Sequence, residues 1–369
     1  MVVLRAMVSG SSPRHHFWRR ALLSGAGLLL VLVGWLLLWP VPYEPQAWMP
    51  EPAPVFAGPF AVNHRLTAIS HVTGPLSAGP EDLAFSTDSS FCTGLADGRI
   101  LRFAADGTPL GQYTNTGGRP LGLAFDAHGI LLVADADRGL LSVASDGKTT
   151  CLASGHDGIP FACTNDVDIA KDGTVYFTVS SHLPLSQHVA AVIEHRDDGR
   201  LLAWDPATKR TRLLCAGLAW ANGVAVAEDG ASVLVVETSA YRVRRVWLRG
   251  PRMGENEIVV ANLPGFPDGI NRDGKGGYWL ALPAPRDALV DALHPHPWLK
   301  RVILRLPAWM QPAPQRYGLI MHLDPGGRPI ESFHDPAGGF APITNVVPHQ
   351  GMLYFGSYQF DCIGRMPMP

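Results

Sequence analysis

Four oxygen-bearing side chains recur at one phase of a degenerate repeat that runs from residue 80 to the C-terminus: Glu81, Asn165, Asn222 and Asp268. Their neighbourhoods read Pro80-Glu81-Asp82-Leu83, Thr164-Asn165-Asp166-Val167, Ala221-Asn222-Gly223-Val224 and Pro267-Asp268-Gly269-Ile270. After each of the first three, an aspartate in a turn follows seven positions later: Asp88, Asp172 and Asp229. Equal phase in a closed repeat means equal position in space, so the four side chains are expected to converge on one axis. Two carboxylates and two amide oxygens form a hard-cation donor set, which suits Ca²⁺. Zn²⁺ fits less well, because no His or Cys stands at these positions. Without a cation, Glu81 and Asp268 side by side would repel and one would be driven to protonate.

The elements that must position these groups are strand–turn–strand units. The clearest are residues 83–107 and 121–147; others begin at Val167, Gly223 and Gly269, and the last covers 345–366. Each opens apolar, passes an Asp- and Gly-rich turn, then alternates β-formers such as Thr174-Val175-Tyr176-Phe177-Thr178. Six such units, none able to bury both faces alone, predict an all-β fold, a six-bladed β-propeller over residues 60–369. A solenoid of six rungs is the rival, disfavoured by the long spacing of the units. The segment 283–317 breaks the repeat. Val302, Leu304, Leu306, Trp309 and Met310, with Arg301 and Arg305, predict a short amphipathic helix there. It would serve as a lid or membrane-contacting element, or simply pack on the propeller rim.

Residues 21–39 carry no charge and span roughly 29 Å as a helix, the thickness of one bilayer core. Arg14, Arg19 and Arg20 precede them within a basic segment, 1–20, and no Lys or Arg follows until Arg65. That asymmetry predicts a transmembrane signal-anchor with a cytoplasmic N-terminus and the large domain in the periplasm or another extracytoplasmic compartment. A cleaved signal peptide would have a shorter apolar run and a small-residue cleavage site; this run ends Trp39-Pro40-Val41-Pro42. Residues 40–59 are Pro-rich and read as an extended linker holding the domain off the bilayer. The net charge of −2, with no basic run after residue 20, disfavours nucleic-acid binding. The 39 Gly and 32 Pro fit a chain with many turns. Cys151 and Cys163 are close enough in sequence to staple a loop, although buried thiols are the plainer expectation.

Serine-hydrolase elbows, HExxH helices and P-loops are absent from the sequence. His182, in Ser180-Ser181-His182, follows a strand of the third unit and is a candidate general base at the channel mouth, or a surface histidine. Pro120-Leu121 supplies no ligand at the shared phase, and Asn345 of the last unit is a candidate channel-lining residue.

At the stretches GPEDLAF, TGLADGRILRF, GGRPLGLAF, GIPFACTNDVDIAKDGTVYFT, ANGVAV, GFPDGINRDGKGGYW and HQGMLYFGSY the chain resembles one superfamily. It comprises the gluconolactonases and regucalcin, the paraoxonases and the strictosidine-synthase-like proteins, and the pattern is nearest to its membrane-anchored, adipocyte-plasma-membrane-associated-protein-like members. The resemblance implies a catalytic Ca²⁺ held by Glu81, Asn165, Asn222 and Asp268, and hydrolysis of lactones or esters in which the metal polarises the carbonyl and a carboxylate activates water. Three departures are visible. The last-unit glutamate of strictosidine synthases is replaced by Ile343-Thr344-Asn345-Val346, which argues against a condensing lyase. The histidine dyad of paraoxonases is missing. Cys163 stands where gluconolactonases have arginine. Asp268, then Glu81, are the expected water-activating groups. The alternative from another class is a non-enzymatic propeller that binds a small molecule or partner around a structural Ca²⁺.

Overall fold

Alternation of apolar and polar residues along short strands makes each repeat a twisted four-stranded sheet whose two faces must both be covered. In the computed structural model, which describes residues 13–369, six such sheets stand around one axis. Five blades take their strands in sequence order, from 83–115, 120–153, 164–218, 221–260 and 270–335. The sixth combines Asn345–His349, Met352–Gly356 and Ile363–Pro367 with Ser70–Val72, which pairs antiparallel to the last strand, Ser70 opposite Arg365. The N-terminal strand therefore closes the ring, and a solenoid is excluded. The first strand of each blade lies innermost and packs beside the first strand of the next.

The core is divided between neighbouring blades. Leu234, Val236 and Val243 of the fourth blade meet Leu280, Leu319 and Met321 of the fifth. Trp279, Ile320 and Phe333 of the fifth meet Val346, Leu353 and Phe355 of the sixth. Each buried aromatic at such a seam contributes on the order of 3–5 kcal/mol against truncation.

Among the described residues, four α-helices accompany this wheel. Helix α1 (Pro13–Leu38) contains a 22-residue stretch, Phe17–Leu38, long and apolar enough to cross a membrane, and none of it is buried in protein. The first twelve residues of the basic segment 1–20 lie outside the described residues. Helix α2 (His188–Glu194) lies between the second and third strands of blade three. Helices α3 (Ala288–Leu293) and α4 (Pro297–Arg305) occupy the equivalent connection of blade five, followed by a 3-10 turn at Ala308–Met310. The amphipathic helix expected in 283–317 is α4, and it stops before Leu306, where extended backbone begins.

One expectation is corrected. The Pro-rich segment is not a free spacer, because its backbone is bonded along the propeller. Gln46 N donates to Glu194 O (3.0 Å) and Trp48 N to His294 O (3.0 Å), while Lys300 Nζ donates to Gln46 O (2.7 Å) and Arg286 to Glu51 O (2.7 Å). Proline-rich backbone has unpaired carbonyls to offer such donors. Of the two readings of Cys151 and Cys163, the plainer one holds: Cys151 is exposed, Cys163 is buried, and all five cysteines are free thiols.

Candidate metal centre and chamber

The four phase-matched residues reach the axis because local backbone aims them there. Both asparagines sit in irregularities of the innermost strands, where the register slips between Thr164 and Val167 and between Ala221 and Val224. A bulge turns a side chain out of the strict alternation, here toward the hub. This also settles Asn222-Gly223, which opens a strand rather than making a hairpin turn. Glu81 and Asp268 precede their strands. Asp268 is held by its N–H to Ala281 O (2.9 Å), and Glu81 by Thr344 Oγ1 donating to its carbonyl (2.7 Å). Gly356 packs so closely on this segment that a Cβ there would lie 1.9 Å from Glu81 O.

Hydrogen bonds anchor the amide nitrogen of each asparagine. Asn165 Nδ2 donates to Ser180 Oγ (2.9 Å) and Asn222 Nδ2 to Thr238 Oγ1 (3.1 Å). Thr238 Oγ1 in turn donates to Pro267 O (2.7 Å), so toward Asn222 it can only accept. The Asn222 amide is thereby oriented, with its Oδ1 left as an acceptor. Glu81 is paired with Arg119 (Nη2 to Oε2, 2.6 Å), whose other nitrogen donates to Gly79 O (3.0 Å).

The four line a hub cavity of about 20 Å³, room for one water-sized sphere, bordered also by Asp82, Asp166 and Asn345. Burial pushes Asp268 well above the usual carboxylate range, and the charges of Glu81 and Asp166 add to it, against a smaller opposing hydrogen bond from Asn222. Burial likewise raises Asp166 to about 7, and raises Asp82, where Asp166 adds to the effect. The site thus carries more negative charge than its surroundings neutralise, as expected for a cation site. Among the described residues no three His, Cys, Asp and Glu side chains are grouped as metal ligands, so a cation at the hub must be held partly by amide oxygens. Amide oxygens, two carboxylates and a hole of this size fit Ca²⁺.

Above the hub opens a chamber of about 550 Å³ that shares Glu81, Asn165, Asn222 and Asp268 as its floor. Its walls are mostly apolar, with Val189 and Val192 of α2, Trp220, Phe266 and Val290 of α3. Arg119 and Tyr358 supply polar groups. Burial, with Asp268 and Glu81 nearby, pushes the Tyr358 phenol up to about 12, so it is an O–H donor at neutral pH.

His182 does not join this arrangement. Its Nδ1 pairs with Asp198, its Nε2 lies 3.9 Å from Glu194, and it lines neither cavity. The turn aspartates Asp88, Asp172 and Asp229 are elsewhere too, accepting from Ser90, Thr174 and Ala231 in exposed turns. An extended strand advances about 3.3 Å per residue, so seven residues carry the chain to the opposite face of the wheel. Asn345 borders the hub but is committed within it, donating to Asp82 and accepting from Asn271.

Sequence reasoning missed Asp82 and Asp166, although both directly follow predicted ligands. Each bridges two blades: Asp82 accepts from Leu83 N and Leu123 N, Asp166 from Val167 N and Val224 N. Arg119 and Tyr358 carried no signal, because they come from loops with no shared phase.

The site is thus an acidic hub on the axis of a six-bladed propeller, at the floor of a mostly apolar chamber. The family description for strictosidine synthase matches residues 165–251, and that for the strictosidine synthase-like N-terminal region matches 58–103. The chain is 35% identical to the adipocyte plasma membrane-associated protein of Salmo salar, covering 93% of this chain and 88% of that one. It is 34% identical to strictosidine synthase-like protein 6 of Arabidopsis thaliana, covering 84% and 85%. Among solved structures, a gluconolactonase from Xanthomonas campestris superposes with a TM-score of 0.60 at 17% identity, covering 83% of this chain and 91% of that one. A calcium-binding regucalcin from Agrobacterium tumefaciens superposes with a TM-score of 0.56 at 15% identity, covering 79% and 94%; at these identities the likeness is one of fold. The chain belongs to the strictosidine-synthase-like family that includes the adipocyte plasma membrane-associated proteins.

Proposed function

We propose that this chain is a membrane-anchored, Ca²⁺-dependent hydrolase of lactones or esters. The observation that carries the reading is the convergence of Glu81, Asn165, Asn222 and Asp268, from four blades, at the floor of an apolar chamber. Ca²⁺ held by these four would supply Lewis acidity to a substrate carbonyl and its developing oxyanion. The chamber walls exclude bulk water and hold the apolar part of the substrate. Asp268 takes a proton from the attacking water as the water oxygen bonds to the carbonyl carbon. It returns that proton to the leaving alkoxide when the carbonyl–oxygen bond breaks. Arg119, paired with Glu81, holds that carboxylate aimed at the hub, and Tyr358 donates its O–H from the wall. The calcium-binding and gluconolactonase neighbours support this reading, as do relatives named for the plasma membrane. Arg14, Arg19 and Arg20 before α1, with no basic residue after it until Arg65, favour a cytoplasmic N-terminus and a propeller in the periplasm.

A panel of lactones and arylesters, assayed with chelator and with Ca²⁺, tests the proposal. Turnover should vanish on chelation, return with Ca²⁺, and be abolished in Asp268→Ala with the fold intact. Turnover indifferent to calcium would refute it, and calcium-dependent melting without turnover would favour a binding propeller.

A further inference from the structure

The connections that wall the chamber all lie on one face of the wheel, and that face is tied to the end of the apolar helix. Helix α2 and the α3–α4 segment occupy the same position in blades three and five, between second and third strands. Arg305, the last residue of α4, donates to Leu36 O (2.7 Å) and Trp39 O (2.6 Å), satisfying carbonyls that the end of α1 leaves unpaired. Four residues past Trp39, Tyr43 already packs among Leu183, Ala191 and Leu304, beside α2 and α4. Four residues reach at most about 14 Å, so the chamber face cannot leave the membrane surface. On this side Trp39, Trp298 and Trp309 are exposed, Trp309 at 83%, with Met310 beside it and Arg301 free to meet phosphates. Exposed tryptophans next to arginines are the composition of a headgroup-level belt.

We propose that the chamber face rests on the bilayer and that the substrate is a membrane-dissolved amphiphile, a lactone or ester with a long acyl chain, admitted from the lipid past α2 and α4. A chamber whose lining is mostly apolar, with the carboxylates and amides of the hub as its floor, matches such a molecule: chain along Val189, Val192 and Val290, carbonyl at the hub. The substrate class rests on the hydrolase reading; the docking of the face does not.

The experiment uses the full chain in phosphatidylcholine nanodiscs. In a Cys151→Ser background, which removes the exposed thiol, a fluorophore is attached at Trp309→Cys or, on the opposite face, at Asp172→Cys. Nitroxide lipids should quench the label at 309 at least about fivefold more than that at 172. Equal quenching overturns the docking. In parallel, δ-dodecalactone in the nanodisc and water-soluble δ-valerolactone are compared for wild type and Trp298→Ser/Trp309→Ser. The double variant should raise the apparent KM for the long lactone about tenfold, a loss of about 1.4 kcal/mol, and leave the short one unchanged. Equal effects on both overturn delivery from the bilayer. Turnover of neither lactone refutes the hydrolase, and the substrate proposal with it, while the quenching ratio still decides the docking.

Discussion

Replacing Asp268 by Asn tests the hub most directly, because the amide copies the shape of the carboxylic acid and removes only the charge. In the metal-free protein Asp268 shares the hub with Glu81, Asp82 and Asp166, and Arg119 is already engaged by Glu81. Burial and these neighbours disfavour its ionised form, so Asp268→Asn should leave the metal-free protein within about 1 kcal/mol of wild type, with any change toward greater stability. Calcium reverses the comparison. At a concentration a hundred times its Kd, binding stabilises the wild type by about 2.7 kcal/mol. At about 2 °C per kcal/mol for a domain of this size, that is a rise in Tm of about 5 °C. One carboxylate is half of the charged ligands. If its loss weakens binding about a hundredfold, the same calcium concentration gives only about 0.4 kcal/mol, a shift near 1 °C. Differential scanning fluorimetry of the detergent-solubilised chain, in chelator and across a calcium series, measures both numbers. A variant that keeps the full calcium shift would refute Asp268 as a ligand, and a wild type without any shift would refute the metal centre.

Two further predictions concern the scaffold. His195 and His294 are buried against Trp48 of the N-terminal strap, and burial lowers them from 6.5 to about 3 and about 2. The unfolded chain binds their protons first, so this stability is complete above pH 6.5 and is lost as pH falls below it. The loss reaches at most about 1.4 kcal/mol per pH unit for each histidine. Denaturant titrations between pH 7 and 4.5 should show it, and Trp48→Ala, which lets water in, should flatten the slope; an unchanged slope counts against the cluster. Gly356→Ala would set a methyl group 1.9 Å from Glu81 O, against backbone that cannot yield. It should cost several kcal/mol and abolish calcium binding by displacing Glu81, whereas calorimetry showing wild-type calcium affinity would contradict that packing.

The repeat was legible because its signals are local. Asp-Gly turns, alternating strands and an apolar run of helix-spanning length depend on nearest neighbours along the chain, and so did the shared phase of Glu81, Asn165, Asn222 and Asp268. Asn165 and Asn222 could be placed on an axis before any bulge was known, because phase in a closed repeat survives small irregularities. The turn aspartates Asp88, Asp172 and Asp229 marked the phase of the repeat, and a fixed spacing along an extended strand sets them at a fixed distance from the hub. His182 stayed open in the sequence between a base at the channel mouth and a surface histidine, and in the structure it pairs with Asp198 outside both cavities.

What the sequence by itself determined was the number of blades, the donor chemistry at their hub and the apolar helix at one end. Tertiary structure alone decided that Ser70–Val72 closes the ring, that Arg119 and Tyr358 join the site, and that the Pro-rich strap lies bonded across α2, α3 and α4. These are contacts between residues far apart in the chain, made by carbonyls and loop side chains that carry no period. Only when the wheel closes do such groups acquire partners.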